Sequence, residues 1–181
     1  YERVMAEIIN PTVKGMMTDG NRYRGFLYAG LMIDETGAPR VIEFNCRFGD
    51  PETQPIMMRL ESDLASHCLA ACESRLLEET ITWSGDATLG VVLASEHYPA
   101  SSPTGLVIEG LGEEAQGVKV FHAGTSMNQD ATVTSGGRVL CVTAKGASLA
   151  EAASAAYQAI GPISWEGMKY RSDIGWRALA R

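Results

Sequence analysis

The sequence predicts an α+β fold in which antiparallel strands and helices occupy successive stretches of the chain. Two β-type runs, 25–33 and 40–46, flank the turn sequence 34–39, and this arrangement predicts an antiparallel hairpin. After Pro51, apolar side chains recur three or four residues apart, which is typical of a helix facing a core. Beyond residue 85, five short β-type runs separated by glycine and serine precede one further helix.

The elements of the first part follow from apolar spacing and from proline and glycine. A helical pattern at the start of the chain is expected to end at Asn10–Pro11, because proline removes a backbone donor and crowds the preceding turn. A second helix of one or two turns is expected to end at the turn sequence 19–21. After the hairpin, a helix is predicted from Pro51, capped by Asp50, to Leu76–Leu77. Its apolar stripe consists of Met57, Leu60, Leu64, Cys68 and Ala71.

A change of composition near residues 82–85 predicts two domains, 1–82 and 83–181. The β-type runs of the second domain are 89–94, 104–108, 118–122, 131–134 and 138–144. Its helix begins after Ser148, because Ser148 and Glu151 have the spacing of a capping box. Asp173 and Arg177, four residues apart, are expected to pair on a helix surface.

Composition limits the classes of function. The net charge of −7 argues against binding to nucleic acid or to an anionic membrane surface. No apolar run approaches the roughly 18 residues of a membrane span, and no signal peptide is visible. The four cysteines have neither disulfide-framework nor zinc-site spacing, and they are typical of a reducing cytoplasm. The chain begins with Tyr1 inside a helical pattern, so we expect it to be a piece whose natural start is missing.

The most informative segment is the strand that ends in the run 41–52. Because alternate residues of a strand share a face, Glu43, Asn45 and Arg47 are expected on one side. The opposite side is expected to point into a core and consists of Ile42, Phe44 and Cys46. A carboxylate and an amide oxygen are hard ligands for Mg²⁺, and a guanidinium suits phosphoryl oxygens. The segment therefore predicts a metal and phosphate site, followed by a turn at Gly49.

These residues also carry a resemblance. The pattern Glu-x-Asn-x-Arg at Glu43 resembles the metal-binding end of ATP-grasp ligases. The octapeptide 47–54 is similar to a signature of the glycinamide ribonucleotide synthetase family within that superfamily. Segments 25–32, 136–140 and 173–177 are similar to the same family, so the resemblance covers essentially the whole chain, although not the whole enzyme.

The resemblance implies both a fold and a reaction. It implies the C-terminal half of an ATP-grasp domain, an antiparallel sheet with helices, followed by a small α+β domain. The implied reaction is ATP-dependent ligation of glycine to 5-phosphoribosylamine through glycyl phosphate, in purine biosynthesis in the cytoplasm. The chain alone is expected to be inactive, because the N-terminal part of the same enzyme is missing.

The resemblance also implies roles for particular residues. Glu43 and Asn45 would hold Mg²⁺ or Mn²⁺, and Arg47 would stabilise the transferred phosphoryl group. Asp50 either orients the amine substrate or caps the following helix. Further substrate contacts are expected from Gly49, Pro51 and Arg138.

Several alternatives stay open at this point. Another ATP-grasp carboxylate–amine ligase or a carboxylase of the same pathway would share the metal face. A module that keeps the fold for regulation or interaction belongs to a different class of function, although intact Glu43, Asn45 and Arg47 argue against it. The strand 27–32 carries no carboxylate, so the number of metal ions is also open.

Overall fold

A computed structural model describes residues 1–180, and the chain divides into two compact units. Unit 1 comprises Tyr1–Asp50 and Ser62–Ile81. Unit 2 comprises Pro51–Glu61 and the chain from Thr82 onward. Each unit contains helices and antiparallel strands, which confirms the predicted α+β class. No helix within the described residues is long and apolar enough to cross a membrane.

Unit 1 begins with one continuous helical stretch made of three segments. The α-helix α1 (Glu2–Val4) passes through a π-helical turn at Met5–Ile9 into α2 (Asn10–Thr18). The predicted break at Asn10–Pro11 is therefore wrong. The ring and the missing N–H of Pro11 would disturb regular i to i−4 hydrogen bonding. The wider π-helical turn lies directly before Pro11 and accommodates this disturbance, so the helix continues.

The predicted hairpin is confirmed. Strands β1 (Tyr28–Ile33) and β2 (Pro39–Asn45) pair antiparallel, with a bulge between Gly30 and Leu31. The turn between the strands is organised by Asp34, whose Oδ1 accepts from the N–H groups of Thr36 at 3.0 Å and Ala38 at 2.9 Å. A third bond, from the hydroxyl of Thr36 at 2.6 Å, is the largest of the contributions that lower the pKa of this carboxyl.

One face of the hairpin is apolar and open to solvent. Ile42 is 64% exposed and Phe44 is 43% exposed, and Cys46 is exposed as well. The prediction that these three residues point into a core is therefore wrong for this chain. The physical reason is that no helix in residues 1–180 packs extensively against β1 and β2, which form a sheet of two strands only.

The single helix predicted from Pro51 to Leu76–Leu77 is also wrong, because the chain forms two α-helices there. Helix α3 (Thr53–Arg59) belongs to unit 2, and α4 (Leu64–Cys72) belongs to unit 1. Asp63 starts α4 by accepting a hydrogen bond from the N–H of Ala65 at 2.9 Å. A short 3₁₀ turn, Leu76–Glu78, follows α4.

The start of α3 differs from the predicted one. Its N-cap position is Glu52, which makes no side-chain cap bond, and Asp50 lies two residues earlier in a turn. The predicted cap by Asp50 is therefore wrong. At the other end, Leu60 leaves the helix in an extended conformation and pairs with Trp83, so the apolar spacing continues while the helix does not.

Unit 2 contains a three-stranded antiparallel sheet in the order β3, β7, β4. The strands are β3 (Ala87–Ala94), β4 (Val118–His122) and β7 (Arg138–Gly146). Helix α5 (Leu149–Ile160) packs against β3 and β7. The fully buried side chains of this core cluster include Val91, Leu93, Val139, Leu140, Val142, Ala152, Ala156 and Ile160. Most of the buried hydrophobic residues among the described residues belong to this core.

The predicted capping box of α5 is confirmed. The hydroxyl of Ser148 accepts from the N–H of Glu151 at 3.2 Å, and the Glu151 carboxylate accepts from the N–H of Ala147 at 2.9 Å. These two bonds satisfy donors that would otherwise be unpaired at the start of the helix.

The remaining elements of unit 2 differ in part from the prediction. Strands β5 (Thr125–Asn128) and β6 (Ala131–Thr134) form a second hairpin, of which only β6 was predicted. The predicted strand at 104–108 is reduced to an isolated bridge between Val107 and Val133. Before the last helix, α6 (Trp176–Leu179), Asp173 pairs with Arg171 at 2.7 Å rather than with Arg177.

Candidate active site

The end of β2 presents Glu43 on the strand face that also carries Asn45. Glu43 lies opposite Gly30 of β1, and a methyl group at Gly30 would approach the Cγ of Glu43 to 3.0 Å. Gly30 therefore provides the space in which the glutamate side chain lies. Within residues 1–180 the Glu43 carboxylate makes neither a hydrogen bond nor an ion pair, and the residue is exposed.

Asn45, the last residue of β2, lies opposite Tyr28 and is half-buried. Its Nδ2 is enclosed and finds no hydrogen-bond partner among the described residues. An enclosed amide left without a partner costs about 1–3 kcal/mol. The unsatisfied atom is a hydrogen-bond donor, so a cation at this strand end would be bound by the amide oxygen of Asn45 and not by this nitrogen.

Arg47 lies past the end of the strand, in a bend. Alternation along β2 therefore places Glu43 and Asn45 on one face but does not fix the direction of Arg47. One terminal nitrogen of Arg47 donates to the carbonyl of Phe48 at 2.8 Å, and the Phe48 ring packs on Phe26 with 4.2 Å between ring centroids. These contacts anchor the bend within unit 1.

Tyr23 packs beside this bend and contacts Phe26 and Cys46. Its hydroxyl donates to the carbonyl of Phe26 and lies beside the thiol of Cys46. Burial, and next the hydrogen bond with the thiol, raises the pKa of Tyr23. The phenol thus holds the backbone at Phe26 through its hydroxyl.

The other candidate residues lie on both sides of the unit boundary. Gly49 is buried and Asp50 is exposed in the turn that ends unit 1. Pro51 begins the segment that belongs to unit 2. Arg138, the first residue of β7, donates from Nε to the hydroxyl of Tyr98 at 2.6 Å. The roles of these residues in binding and catalysis stay predictions.

The donor set at the end of β2 fits a hard divalent cation. Glu43 offers carboxylate oxygens without a competing partner, and the Asn45 amide is already enclosed next to β1. Mg²⁺ commonly uses one or two protein oxygens and fills its other positions with water and phosphate oxygens. No cluster of three or more His, Cys, Asp or Glu side chains suitable for a metal is found among the described residues. The metal role of Glu43 and Asn45 therefore stays a prediction.

Sequence reasoning missed two parts of these surroundings. Gly30 carries no functional group. It leaves space for the Glu43 side chain, and this is visible only from the pairing of β1 with β2, which places Gly30 opposite Glu43. Tyr98 is 40 residues from Arg138, and neither residue belongs to a local motif that would link them. A signal for Gly30 was available in principle, since an isolated glycine inside a strand often marks a close approach.

Two protein-family models match this chain. Residues 1–53 match the family model described as Phosphoribosylglycinamide synthetase, ATP-grasp (A) domain. Residues 88–177 match the model described as Phosphoribosylglycinamide synthetase, C domain. The first part of the chain, with Glu43 and Asn45 at the end of β2, is thus of the ATP-grasp class.

Individual relatives agree with these matches. The phosphoribosylamine–glycine ligase of Escherichia coli (strain K12) is 60% identical over 183 residues, which are 100% of this chain and 43% of the relative. The enzyme of the same name from Vibrio cholerae serotype O1 is 58% identical, with 42% of its length covered. A crystal structure of phosphoribosylamine–glycine ligase from Thermotoga maritima matches 95% of this chain and 42% of its own, with TM-score 0.75 and 31% identity.

The chain belongs to the phosphoribosylglycinamide synthetase family. It spans less than half the length of the curated relatives that it matches.

Proposed function

We propose that this chain is the C-terminal portion of an ATP-dependent ligase that joins glycine to 5-phosphoribosylamine. The products are glycinamide ribonucleotide, ADP and phosphate. The observation that carries the proposal is the pair Glu43 and Asn45, an unpaired carboxylate and an amide oxygen donor on a single strand face. Residues 1–82 would complete an ATP-grasp domain, and 83–181 would form the C-terminal domain. A cytoplasmic location stays a prediction of the sequence.

The reaction requires negative charges to approach each other. In the first step the glycine carboxylate attacks the γ-phosphorus of ATP, so that a C–O–P link forms and the bond to ADP breaks. In the second step the amine of phosphoribosylamine attacks the acyl carbon, phosphate leaves with the electron pair of the C–O bond, and the amine loses a proton. A divalent cation, when bound, supplies charge neutralisation for the phosphate oxygens.

The residues of the chain would divide this work. Glu43 and Asn45 would hold Mg²⁺ or Mn²⁺ through their side-chain oxygens. Arg47, anchored by one nitrogen on Phe48, keeps other N–H donors for the phosphoryl oxygens as they gain charge. Asp50 is exposed in the turn before α3, and its proposed role is to orient the amine substrate.

Three further residues are proposed to contact substrate. Gly49 and Pro51 flank Asp50 and would shape the turn against the bound substrate. Arg138 would contact a phosphate group from unit 2. The chain by itself is proposed not to complete the ligation, because positioning of well-oriented reactants contributes on the order of 7–11 kcal/mol and needs the N-terminal portion that the relatives contain.

The test is substitution of the metal pair in the ligase assembled with its N-terminal portion. Glu43→Gln and Asn45→Leu are each expected to reduce turnover at least about a hundredfold, because loss of a charged or amide ligand removes several kcal/mol of transition-state stabilisation. The assay measures ADP release that depends on both glycine and phosphoribosylamine, as a function of Mg²⁺ concentration.

The matched control is Glu35→Gln in the exposed turn of the same hairpin, which removes the same charge away from the strand face. It is expected to leave turnover and metal dependence unchanged. Unaltered Mg²⁺ dependence and turnover in both site variants would disprove the metal assignment. Glycine- and phosphoribosylamine-dependent ADP release by the 181-residue chain alone would show that the active site lies elsewhere.

A further inference from the structure

Unit 2 contains a pocket that the proposed reaction does not use. It has a volume of about 410 Å³ and is lined by Pro55, Ile56, Arg59, Trp83 and Thr88. We call it the Trp83 pocket. All five residues belong to unit 2, and four of them lie between the two family-model matches, of which one ends at residue 53 and the other begins at residue 88. Pockets of roughly 300–1,000 Å³ are typical of small-molecule sites.

The walls of the Trp83 pocket are joined by hydrogen bonds between distant parts of the chain. The N–H of Ser84 donates to the carbonyl of Arg59 at 2.8 Å, and Nη2 of Arg59 donates to the carbonyl of Ser84 at 3.0 Å. The hydroxyl of Thr88 donates to the carbonyl of Pro55 at 3.2 Å. A methyl group at Gly90 would lie 3.1 Å from the Cγ of Pro55, so α3 packs closely on β3. These contacts set the shape of the pocket.

Arg59 brings a cation with free donors to the wall of the pocket. It is the last residue of α3 and is half-buried. Within residues 1–180 its Nη2 is bonded to Ser84, whereas Nε is enclosed without a partner and Nη1 makes no hydrogen bond. It also forms no ion pair with a carboxylate of these residues. The guanidinium therefore keeps the N–H groups of Nη1 for an anion.

Trp83 provides an aromatic surface that is open to solvent. The residue is 48% exposed, although its backbone is fixed by a bridge to Leu60. Among the described residues, neither an aromatic ring nor a guanidinium stacks on this indole. Aromatic pairs in offset or edge-to-face contact are more stable than their buried area alone accounts for. The indole therefore offers a stacking surface to a planar ring.

The lining of the pocket selects the charge of a ligand. Pro55 and Ile56 are apolar, Thr88 carries a neutral hydroxyl, and no acidic residue is found in the lining contributed by residues 1–180. The single guanidinium of Arg59 balances one negative charge, whereas a nucleoside triphosphate carries several and would meet no second cation in this lining. The planar fork of a guanidinium also matches the two oxygens of a carboxylate. These features favour a planar ring with one carboxylate.

We propose that the Trp83 pocket binds a planar aromatic carboxylate. The carboxylate would accept hydrogen bonds from Arg59, the ring would stack on Trp83, and the apolar side chains of Pro55 and Ile56 would cover its edge. None of these residues has a role in the proposed ligation. The site therefore does not depend on the proposed function, and the two are tested separately.

The binding test titrates the 181-residue chain with naphthoate and follows it by nuclear magnetic resonance. Naphthoate is expected to shift the amide signals of 55–59 and 83–88 and the indole N–H signal of Trp83, with a Kd on the order of 1 mM or below. Naphthamide has the same ring without the charge and is expected to bind at least about tenfold more weakly. Cyclohexanecarboxylate keeps the charge without the aromatic ring and is expected to bind severalfold more weakly.

Substitutions at two residues separate the charge from the stacking. Arg59→Gln removes the charge and is expected to weaken naphthoate about tenfold or more, whereas Arg59→Lys is expected to retain part of the affinity. Trp83→Leu keeps an apolar side chain and is expected to weaken binding severalfold. The matched control is the pair Trp176 and Arg177, in which a guanidinium carbon lies 5.4 Å from the ring centroid of a half-exposed tryptophan elsewhere in unit 2. Trp176→Leu and Arg177→Gln are expected to leave the affinity unchanged.

Several results would overturn the proposal. Naphthoate shifts confined to residues outside the pocket would do so, and so would equal affinities for naphthoate and naphthamide or an affinity unchanged by Trp83→Leu. Tighter binding of adenosine monophosphate than of naphthoate would overturn the assignment to a carboxylate. Retained dispersion of the amide signals shows that a variant is folded. If Arg59→Gln loses this dispersion, Arg59→Lys and the comparison with naphthamide in the unchanged chain decide the role of the charge.

Discussion

Replacing Gly30 by alanine is expected to disturb the metal pair without unfolding the hairpin. The new methyl group would lie 3.0 Å from the Cγ of Glu43 and 3.6 Å from the ring of Tyr28, so the glutamate must move by a few tenths of an ångström. Gly30 does not have a positive φ, and alanine in a strand gains about 0.5–1 kcal/mol over glycine. A displaced Glu43 rotamer costs about 0.5–1.5 kcal/mol, so the two effects nearly cancel in the free energy of unfolding.

The consequence for metal binding is larger, because Mg²⁺ accepts oxygen distances only near about 2.0–2.1 Å. A change that shifts a ligand without removing it typically weakens metal affinity about 10- to 100-fold. Mn²⁺ serves as the probe, since its unpaired electrons broaden the amide signals of nearby residues even when binding is weak. Gly30→Ala is expected to raise the Mn²⁺ concentration that broadens the signals of Glu43 and Asn45 by about tenfold.

Gly15→Ala is the matched control, since no atom lies within 4 Å of the added methyl group and the residue is inside helix α2 of the same unit. It is expected to stabilise the helix by up to about 1 kcal/mol and to leave Mn²⁺ broadening unchanged. Unchanged broadening in Gly30→Ala would refute the reasoning, and so would a loss of hairpin stability greater than about 2 kcal/mol.

Two further predictions concern Arg47 and Asp34. In the assembled ligase, Arg47→Lys keeps the positive charge but loses the fork of N–H donors. It is expected to lower kcat about 10- to 100-fold with little change in ATP affinity. An effect on the KM for ATP alone would mean that Arg47 contacts ATP in the ground state only. The pKa of Asp34 is lowered in the folded hairpin, mainly by the Thr36 hydroxyl and next by the Ala38 N–H, so its stabilisation is present above the ordinary value of 3.8 and is lost as pH falls through the folded value. A titration of the Asp34 carboxyl is expected to give a midpoint below 3.8, and Asp34→Asn is expected to remove this part of the acid sensitivity; a midpoint at or above 3.8 would contradict the assignment.

Much of the fold follows from patterns that are local in the sequence. The hairpin around Asp34 and the capping box at Ser148 depend on residues within a few positions of each other, and both were predicted correctly. The division between α3 and α4 was missed because the apolar spacing continues across Leu60, which pairs with Trp83, a residue distant in sequence. At Pro11 the error is of the opposite kind: proline predicts the end of a helix, but a π-helical turn before it allows the helix to continue.

Part of the candidate site could likewise be predicted from the sequence, and part could not. Residue chemistry and strand alternation were enough to select Glu43 and Asn45 and to place them on one face. The opposite face, with Ile42 and Phe44, was expected to be buried from its apolar character alone. Burial depends on what packs against a strand, and sequence alternation does not contain that information. The contact between Tyr98 and Arg138 likewise depends on tertiary structure.

The scarcity of buried apolar side chains in unit 1 has a consequence for hydrogen exchange. Among the described residues, the buried hydrophobic side chains of unit 1 are Ile8 and Ala70, whereas β3, β7 and α5 enclose a continuous core. Amide protons of β7 are therefore expected to exchange only on global opening of unit 2, and those of β2 by local opening at much lower free energy. The strand that carries Glu43 and Asn45 thus has little buried apolar support, and a ligand bound there is expected to increase its order. A ligand at a hundred times its Kd would add about 2.7 kcal/mol to the stability of the ordered hairpin.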